Sequence, residues 1–129
     1  MNYGKFCEDI LHVNESIRLV LLFTKEGDIV GVESRMSSDK LPMPPQQIPE
    51  LIMKSLIGLN VMDTLAQTLG KVRYSFTEFE KVKGVAMVLG NYNQDPFLRD
   101  CVMLVLFGSE SDHCKIIDEQ LFPFLKKIQ

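Results

Sequence analysis

Residues 47–70 read QIPELIMKSLIGLNVMDTLAQTLG and form the longest stretch in which apolar residues recur at helical spacing. A stretch of this length makes about six turns of α-helix. Pro49 is tolerated in a first helical turn, and Glu50 suits the positive end of the helix dipole. Gly70 is typical of a helix C-terminus. The segment therefore predicts a long central helix, with two predicted strands before it and three after it.

Helical periodicity divides the apolar residues of this segment into two groups. A broad face is wide enough to lie on a sheet and comprises Leu51, Ile52, Leu59, Met62, Leu65, Ala66 and Leu69. A second stripe, Met53, Ile57 and Val61, points away from the first. Either the N-terminal helix or the proline-rich segment covers this stripe within the chain, or the stripe meets another subunit, with Gly58 allowing a close approach.

The flanking sequence supplies five strands and two further helices. Ile17–Thr24 and Ile29–Ser34 are rich in β-branched residues and are joined by a turn at Gly27, which predicts a hairpin. After the central helix, strands are predicted at 72–79, 85–89 and 101–107. Amphipathic helices are predicted at 2–13 and from 109–112 onward, the second kinked or divided by Pro123 near Phe122. The predicted class is α+β with the order αββαβββα: a five-stranded antiparallel sheet, a long central helix and two terminal helices.

Size and composition limit the functions to consider. The chain has 129 residues, which predicts a single domain over 1–129, and its 46% apolar content is typical of a folded globular protein. A net charge of −3 with scattered basic residues argues against nucleic-acid binding. No apolar run is long enough for a membrane span, and the N-terminus lacks a signal-peptide core, so a cytoplasmic protein is predicted. The three cysteines contain no CxxC pair, which favours reduced thiols.

The sequence contains no recognisable catalytic, cofactor or metal motif. The two histidines, His12 and His113, have no spacing to other ligands that suggests zinc. His113 and Cys114 are adjacent, but neighbours on a helix diverge by about 100° and would not face one substrate. The glycines form neither GxGxxG nor a phosphate loop. We therefore expect a protein that is not an enzyme and that binds no cofactor or metal.

The order of elements resembles the roadblock (dynein light chain) fold of the profilin-like group. Three stretches are also similar to small archaeal proteins without an assigned activity, chiefly from ammonia-oxidising lineages: IRLVLLFTKEGDIVGVESRM, FTEFEKVKGVAMVLG and LFPFLKKI. Roadblock proteins dimerise through the central helix and the strand after it. The resemblance implies an interface at Met53, Ile57, Val61, Val72, Tyr74 and Phe76, and, by analogy only, a small GTPase as partner.

Two functional hypotheses follow. The first is a non-enzymatic regulatory or scaffolding module that acts through homodimerisation and protein–protein contacts. The alternative is a small-molecule sensor with a ligand between the sheet and the proline-rich loop that contains Pro42, Pro44 and Pro45. The candidate ligand contacts of the sensor are Arg73, Tyr74 and Tyr92.

Overall fold

The computed structural model describes residues 2–35 and 43–128. The helices and strands follow the predicted order. They are α1 (Tyr3–Leu11), β1 (Ile17–Thr24), β2 (Ile29–Ser34), α2 (Ile48–Asp63), α3 (Ala66–Leu69), β3 (Ser75–Glu78), β4 (Val82–Val88), β5 (Cys101–Gly108), α4 (His113–Ile116) and α5 (Phe122–Lys127). The five strands form one sheet in the order β2-β1-β5-β4-β3, and every neighbouring pair is antiparallel. The predicted α+β class with a five-stranded antiparallel sheet is confirmed.

The centre of the sheet is the pairing of β1 with β5. These strands are apolar at almost every position, and nearly all their side chains are buried. Alternate residues point to opposite faces, so each strand contributes to two cores. On one face Val20 and Leu22 belong to a cluster with both terminal helices. On the other face Leu19 and Leu21 belong to a cluster with α2.

Helix α1 lies against β1 and the edge strand β2. Asn2 caps it by accepting a hydrogen bond from the Lys5 backbone N–H at 3.1 Å, a contact that satisfies one of the unpaired amides of the first turn. The helix approaches the sheet closely at Gly31, where an added Cβ would lie 2.9 Å from Cys7 Sγ. Gly31 therefore permits this packing because it has no side chain.

Arg35 fixes the other end of α1. Its guanidinium donates hydrogen bonds to the backbone carbonyls of Leu11, Ile17 and Asn14, the last two at 2.8 and 3.3 Å. The last carbonyls of a helix lack intrahelical partners, and a cation near them is favourable. A side chain just after β2 thus joins the C-terminus of α1 to the start of β1.

The C-terminal helix is continuous from α4 to α5, but it changes geometry in between. Ile117–Leu121 forms a π-helical turn directly before α5, in which Pro123 occupies the first turn. Proline has no N–H to donate and its ring clashes with the carbonyl of the preceding turn, so the regular ladder cannot continue through it. The helix was predicted to be kinked or divided near Phe122, and the structure has a π-helical turn there within a continuous helix.

Of the described helices, α2 is the one that covers the opposite face of the sheet. Its buried residues are Ile52, Leu56 and Leu59, which pack on Leu21, Leu104 and other residues of the central strands. Strands lie about 4.8 Å apart, so five of them span roughly 19 Å, whereas a helix with its side chains is about 10 Å wide. One helix is therefore too narrow to cover the whole of this face, and among the described residues a groove remains between α2 and strands β3 and β4.

The central helix is shorter than the sequence predicted. Residues 47–70 were expected to form one helix, but α2 ends at Asp63, and a turn at Thr64 and Leu65 separates it from α3. The predicted sheet-facing residues Met62, Leu65 and Leu69 are 56%, 50% and 76% exposed. Leu65 and Leu69 follow the break after Asp63 and so do not continue the face of Ile52 and Leu59, whereas Met62 is exposed within α2 itself.

Two further expectations are corrected by the position of the elements. Helix α1 packs on the face opposite α2, so it does not cover the stripe of Met53, Ile57 and Val61. Part of the proline-rich segment, including Pro42, lies outside the described residues. The strand predicted at 72–79 is limited to Ser75–Glu78, because residues 71–74 have no regular structure and do not pair with β4.

Gly90 provides a test of the packing beside β5. A Cβ at this position would lie 2.4 Å from the backbone oxygen of Arg99, which cannot rotate away. We expect Gly90→Ala to lower the free energy of unfolding by about 1–3 kcal/mol, as overpacking typically does. Chemical denaturation at a fixed protein concentration measures this change. The exposed Thr68→Ala is the control, and equal stabilities of the two variants would contradict the packing at Gly90.

Candidate functional site

The outer surface of α2 carries an exposed apolar stripe. Met53, Ile57 and Val61 follow one another at intervals of four residues, and their side chains are 54%, 54% and 59% exposed. Large apolar side chains in one row are unusual on a surface that faces only water. These three predicted interface residues are therefore accessible to a partner.

A groove separates α2 from β3 and β4. It has a volume of about 320 Å³, and its floor includes Leu104 and Leu106 of β5. The groove exists because most of its walls are small residues: Ser55 and Gly58 on α2, Ser75 and Thr77 on β3, and Gly84 and Ala86 on β4. Sequence analysis missed this groove, although a row of small residues opposite a helical glycine was the signal that could have predicted it.

A second cavity lies at the N-terminal end of the groove. Its volume is about 310 Å³, and its apolar walls are Met43, Leu51, Phe79, Val82 and Leu106. Three of these residues, Leu51, Phe79 and Leu106, also line the groove, so the two spaces adjoin. The cavity is at the low end of the volumes that hold small ligands.

Among the described residues, strand β3 forms one edge of the sheet and pairs with β4 alone. Its outer backbone groups are therefore available to a further strand. The predicted interface residues around β3 do not share a face. Val72 packs with the α2 cluster, whereas Tyr74 packs with the cluster of the terminal helices. Phe76 stacks on His113, with ring centroids 3.9 Å apart, and so also faces the C-terminal helix.

The three candidate ligand contacts, Arg73, Tyr74 and Tyr92, do come together around Phe122. Tyr92 stacks on the Phe122 ring at 4.4 Å, Tyr74 lies tilted to it at 6.4 Å, and the Arg73 guanidinium lies 5.0 Å from its centroid. Arg73 also forms an ion pair with Asp118 at 2.9 Å. This cluster lies on the face opposite the cavity that Met43 lines.

The polar atoms of this cluster are already paired with one another. The Tyr92 hydroxyl donates to the backbone oxygen of Arg73, and the Tyr74 hydroxyl lies 3.9 Å from Cys114 Sγ. Burial raises the pKa of Tyr92 and of Tyr74, whereas the nearby Arg73 charge acts in the opposite direction. Both phenols therefore stay neutral at pH 7, and the cluster fastens residues 73 and 74 to the C-terminal helix.

His113 and Cys114 are closer than their helical spacing suggested. Cys114 Sγ lies 3.4 Å from His113 Nε2 at the exposed N-terminus of α4. The expected divergence of the two side chains is therefore wrong. The His113 ring is nevertheless stacked on Phe76, and within the described residues no group of acidic, histidine and cysteine side chains could hold a metal.

The cluster around Phe122 predicts a specific order of mutational effects. Phe122 is buried and contacts Tyr92 and Arg73, so Phe122→Ala is expected to cost about 3–5 kcal/mol of unfolding free energy. The Arg73–Asp118 pair is exposed, and Asp118→Asn is expected to cost less than about 1 kcal/mol. Urea denaturation of both variants measures the difference. A larger loss for Asp118→Asn would show that the ion pair, not ring packing, holds the cluster.

The three thiols are expected to differ in reactivity. Cys114 is exposed, whereas Cys7 and Cys101 are buried. Burial raises the pKa of Cys7 to about 12 and also raises the pKa of Cys101, so neither thiol forms the reactive thiolate near neutral pH. Mass spectrometry after alkylation at pH 8 should find one modified cysteine in the native protein and three after denaturation. Rapid native labelling of Cys7 would contradict the packing of α1 on β2.

Comparison with known structures identifies the fold. A roadblock/LC7 domain from Streptomyces avermitilis matches 99% of this chain and 94% of its own, at 13% identity and a TM-score of 0.69. An MglB structure with a tetrameric arrangement matches 96% and 85%, at 16% identity and a TM-score of 0.67. The match with MglC from Myxococcus xanthus covers 100% of this chain and 100% of MglC, at 14% identity and a TM-score of 0.56. At these identities the likeness shows a shared roadblock/LC7 fold.

Comparisons of the sequence itself give no match. No protein-family profile fits the chain, and no curated protein is significantly similar to it. Among the described residues, no helix is both long and apolar enough to cross a membrane. The sequence-derived resemblance to the roadblock fold is thus confirmed as a resemblance of structure.

Proposed function

We propose that this protein is a non-enzymatic regulatory or scaffolding module that acts as a homodimer. Two copies associate through α2 and the free edge of β3, which carry the predicted interface residues Met53, Ile57, Val61 and Phe76, and through Val72 and Tyr74 just before β3. Their sheets join into one larger sheet, and the resulting surface binds another protein. The proposal extends to a cytoplasmic location, which the apolar pattern of the sequence predicts, and to an archaeal source, which the sequence resemblance implies.

The observation that carries this proposal is a strand edge and an apolar helix stripe that have no partner among the described residues. Strand β3 has one paired side, and Met53, Ile57 and Val61 on α2 are each more than half exposed. Unpaired edges and exposed apolar rows both favour association with another chain. A second copy brings the same two elements, so a two-fold axis beside β3 covers the edge and the groove at once.

The similarly folded proteins support self-association as an expectation. One MglB structure has a tetrameric arrangement, and it shares the fold with this chain at 16% identity. The resemblance also suggests a small GTPase as the class of partner. The present chain has no sequence motif that selects such a partner, so the GTPase is proposed by analogy of fold alone.

The cavity beside Met43 favours the sensor function as a second candidate. It is apolar, and it lies between α2, the β3–β4 turn and the end of the proline-rich segment. The candidate contacts Arg73, Tyr74 and Tyr92 are on the other face and cannot contact a ligand held there. A sensor function would therefore depend on Met43, Leu51, Phe79, Val82 and Leu106. A ligand screen by thermal shift tests this candidate, and Leu51→Trp, which fills the cavity, should abolish any stabilisation found.

The oligomeric state tests the proposed function directly. Light scattering across a concentration series should give a mass close to twice the 14.7 kDa of one chain. Lysine on an edge strand prevents pairing with another strand, so Phe76→Lys on β3 should weaken the dimer by at least about tenfold. Val32→Lys is the matched control, because Val32 is an exposed apolar residue on the opposite edge strand, β2.

Circular dichroism should show that both variants keep the wild-type secondary structure. A wild-type mass near 14.7 kDa at every concentration would contradict the homodimer. A dimer that Val32→Lys disrupts and Phe76→Lys leaves intact would assign the contact to β2 instead of β3.

A further inference from the structure

The cavity beside Met43 combines an apolar interior with a charged turn at its edge. Its apolar walls come from α2, the β3–β4 turn, β5 and the end of the proline-rich segment. Among the described residues, the charged side chains that line it are Glu80 and Lys81, and both residues are exposed. They are the two central residues of the turn that the Phe79 N–H closes on the Val82 oxygen at 2.9 Å. The ionic groups of the cavity are therefore confined to one exposed turn.

We infer that this cavity binds a single-chain aliphatic carboxylate. The chain of the ligand occupies the apolar interior, and its carboxylate lies at the turn beside the Lys81 ammonium. This inference rests on the sensor function, the second candidate above, and it names the class of ligand. It does not depend on the homodimer, because the cavity walls that the structure describes include none of the six predicted interface residues.

The interior suits a chain because it continues into the groove along α2. Leu51, Phe79 and Leu106 line both spaces. Beyond them the groove extends past Ser55 to Gly58. The seven residues from Leu51 to Gly58 span about 10 Å of α-helix. A cavity of about 310 Å³ with such a continuation can hold aliphatic chains of different lengths.

Phe79 provides apolar surface that a ligand chain can cover. Its side chain is 48% exposed. Its Cε2 atom lies 3.9 Å from the position that a Gly84 Cβ would occupy, and Leu106 Cδ2 lies 3.4 Å from the same position. Because Gly84 has no side chain, the Phe79 ring and Leu106 form one apolar surface. Each methylene group that leaves water for such a surface strengthens binding about fourfold.

The carboxylate is assigned from the lysine at the turn. Within the described part of the chain, Lys81 has no ion-pair partner, whereas Lys54 in the groove is paired with Glu50 at 2.9 Å. A lysine stem can lie along apolar surface while its ammonium stays in water, so Lys81 can follow the cavity wall and still meet an anion. One lysine balances the single charge of a carboxylate better than the nearly double charge of a phosphate. Glu80 opposes the anion, so the two neighbouring charges should affect binding in opposite directions.

Titration with carboxylates of different length tests the chain. Octanoate should bind with a dissociation constant at least about tenfold lower than that of hexanoate, because two more methylene groups enter the cavity. Chemical-shift changes of the ¹⁵N-labelled protein measure both constants and should be centred on Leu51, Phe79 and Leu106. Leu51→Trp, which fills the cavity, should abolish the dependence on length. Equal constants for the two acids in the wild-type protein would indicate an ionic contact alone and would overturn the inference.

Charge-neutralising substitutions at the exposed turn test the head group. Lys81→Gln should raise the octanoate dissociation constant about two- to fivefold, the range of an exposed ion pair, and Glu80→Gln should lower it by a similar factor. Lys25→Gln is the matched control, because Lys25 is an exposed lysine that directly follows β1 in the turn of the other hairpin. It should leave the constant unchanged. Octanol carries no charge, so its dissociation constant should be the same in all three variants.

The outcomes separate this inference from the functions proposed above. If octanol binds and Lys81→Gln leaves octanoate binding unchanged, the carboxylate is overturned while the sensor function stands. Tighter octanoate binding by Lys81→Gln and weaker binding by Glu80→Gln would contradict the placement of the head group and overturn the inference. If neither octanoate nor octanol binds, both the inference and the use of this cavity by a sensor are overturned. The homodimer is judged separately, by light scattering without ligand.

Discussion

Every other part of this molecule depends on the pairing of β1 with β5, two strands that are apolar on both faces. Their register runs from Ile17 opposite Phe107 to Thr24 opposite Cys101. A strand pair of this kind must be covered on both sides, because neither face is compatible with water. The chain meets this requirement with two terminal helices on one face and with α2 on the other. The unequal coverage of the two faces gives rise to the groove.

The sheet could be predicted from sequence because its signals are local. The β-branched residues and the turn at Gly27 predicted the hairpin of β1 and β2 with the bounds that the structure shows. The apolar run at 101–107 predicted β5 to within one residue. The length of the central helix could not be predicted in this way. Met62, Leu65 and Leu69 continue an apolar pattern, and periodicity does not reveal whether the chain itself or another molecule covers such residues.

The candidate site was also predicted only in part, because only some of its signals are local in the sequence. The stripe of Met53, Ile57 and Val61 was visible as a second apolar period, and it is exposed as the interface hypothesis requires. The assembly of Arg73, Tyr74 and Tyr92 around Phe122 depends on contacts between residues far apart in sequence, which no local pattern records. Tyr74 keeps the face that alternation with Phe76 predicts, whereas Val72 and Arg73 depart from the alternation because residues 71–74 are not part of the strand.

The division of the helices between the two faces separates folding from recognition. The face that α1 and the C-terminal helix cover is closed within one chain, so substitutions there change the fraction of molecules that are folded. On the α2 face, Met53, Ile57, Val61 and Met62 are more than half exposed, and no heavy atom of the described residues lies within 4 Å of the position of a Gly58 Cβ. Substitutions at these exposed positions, unlike those at the buried Ile52, Leu56 and Leu59, change the fraction of folded molecules little. The same substitutions are expected to lower binding to a partner. A mutational scan for folding and one for binding would therefore identify different sets of residues in this one domain.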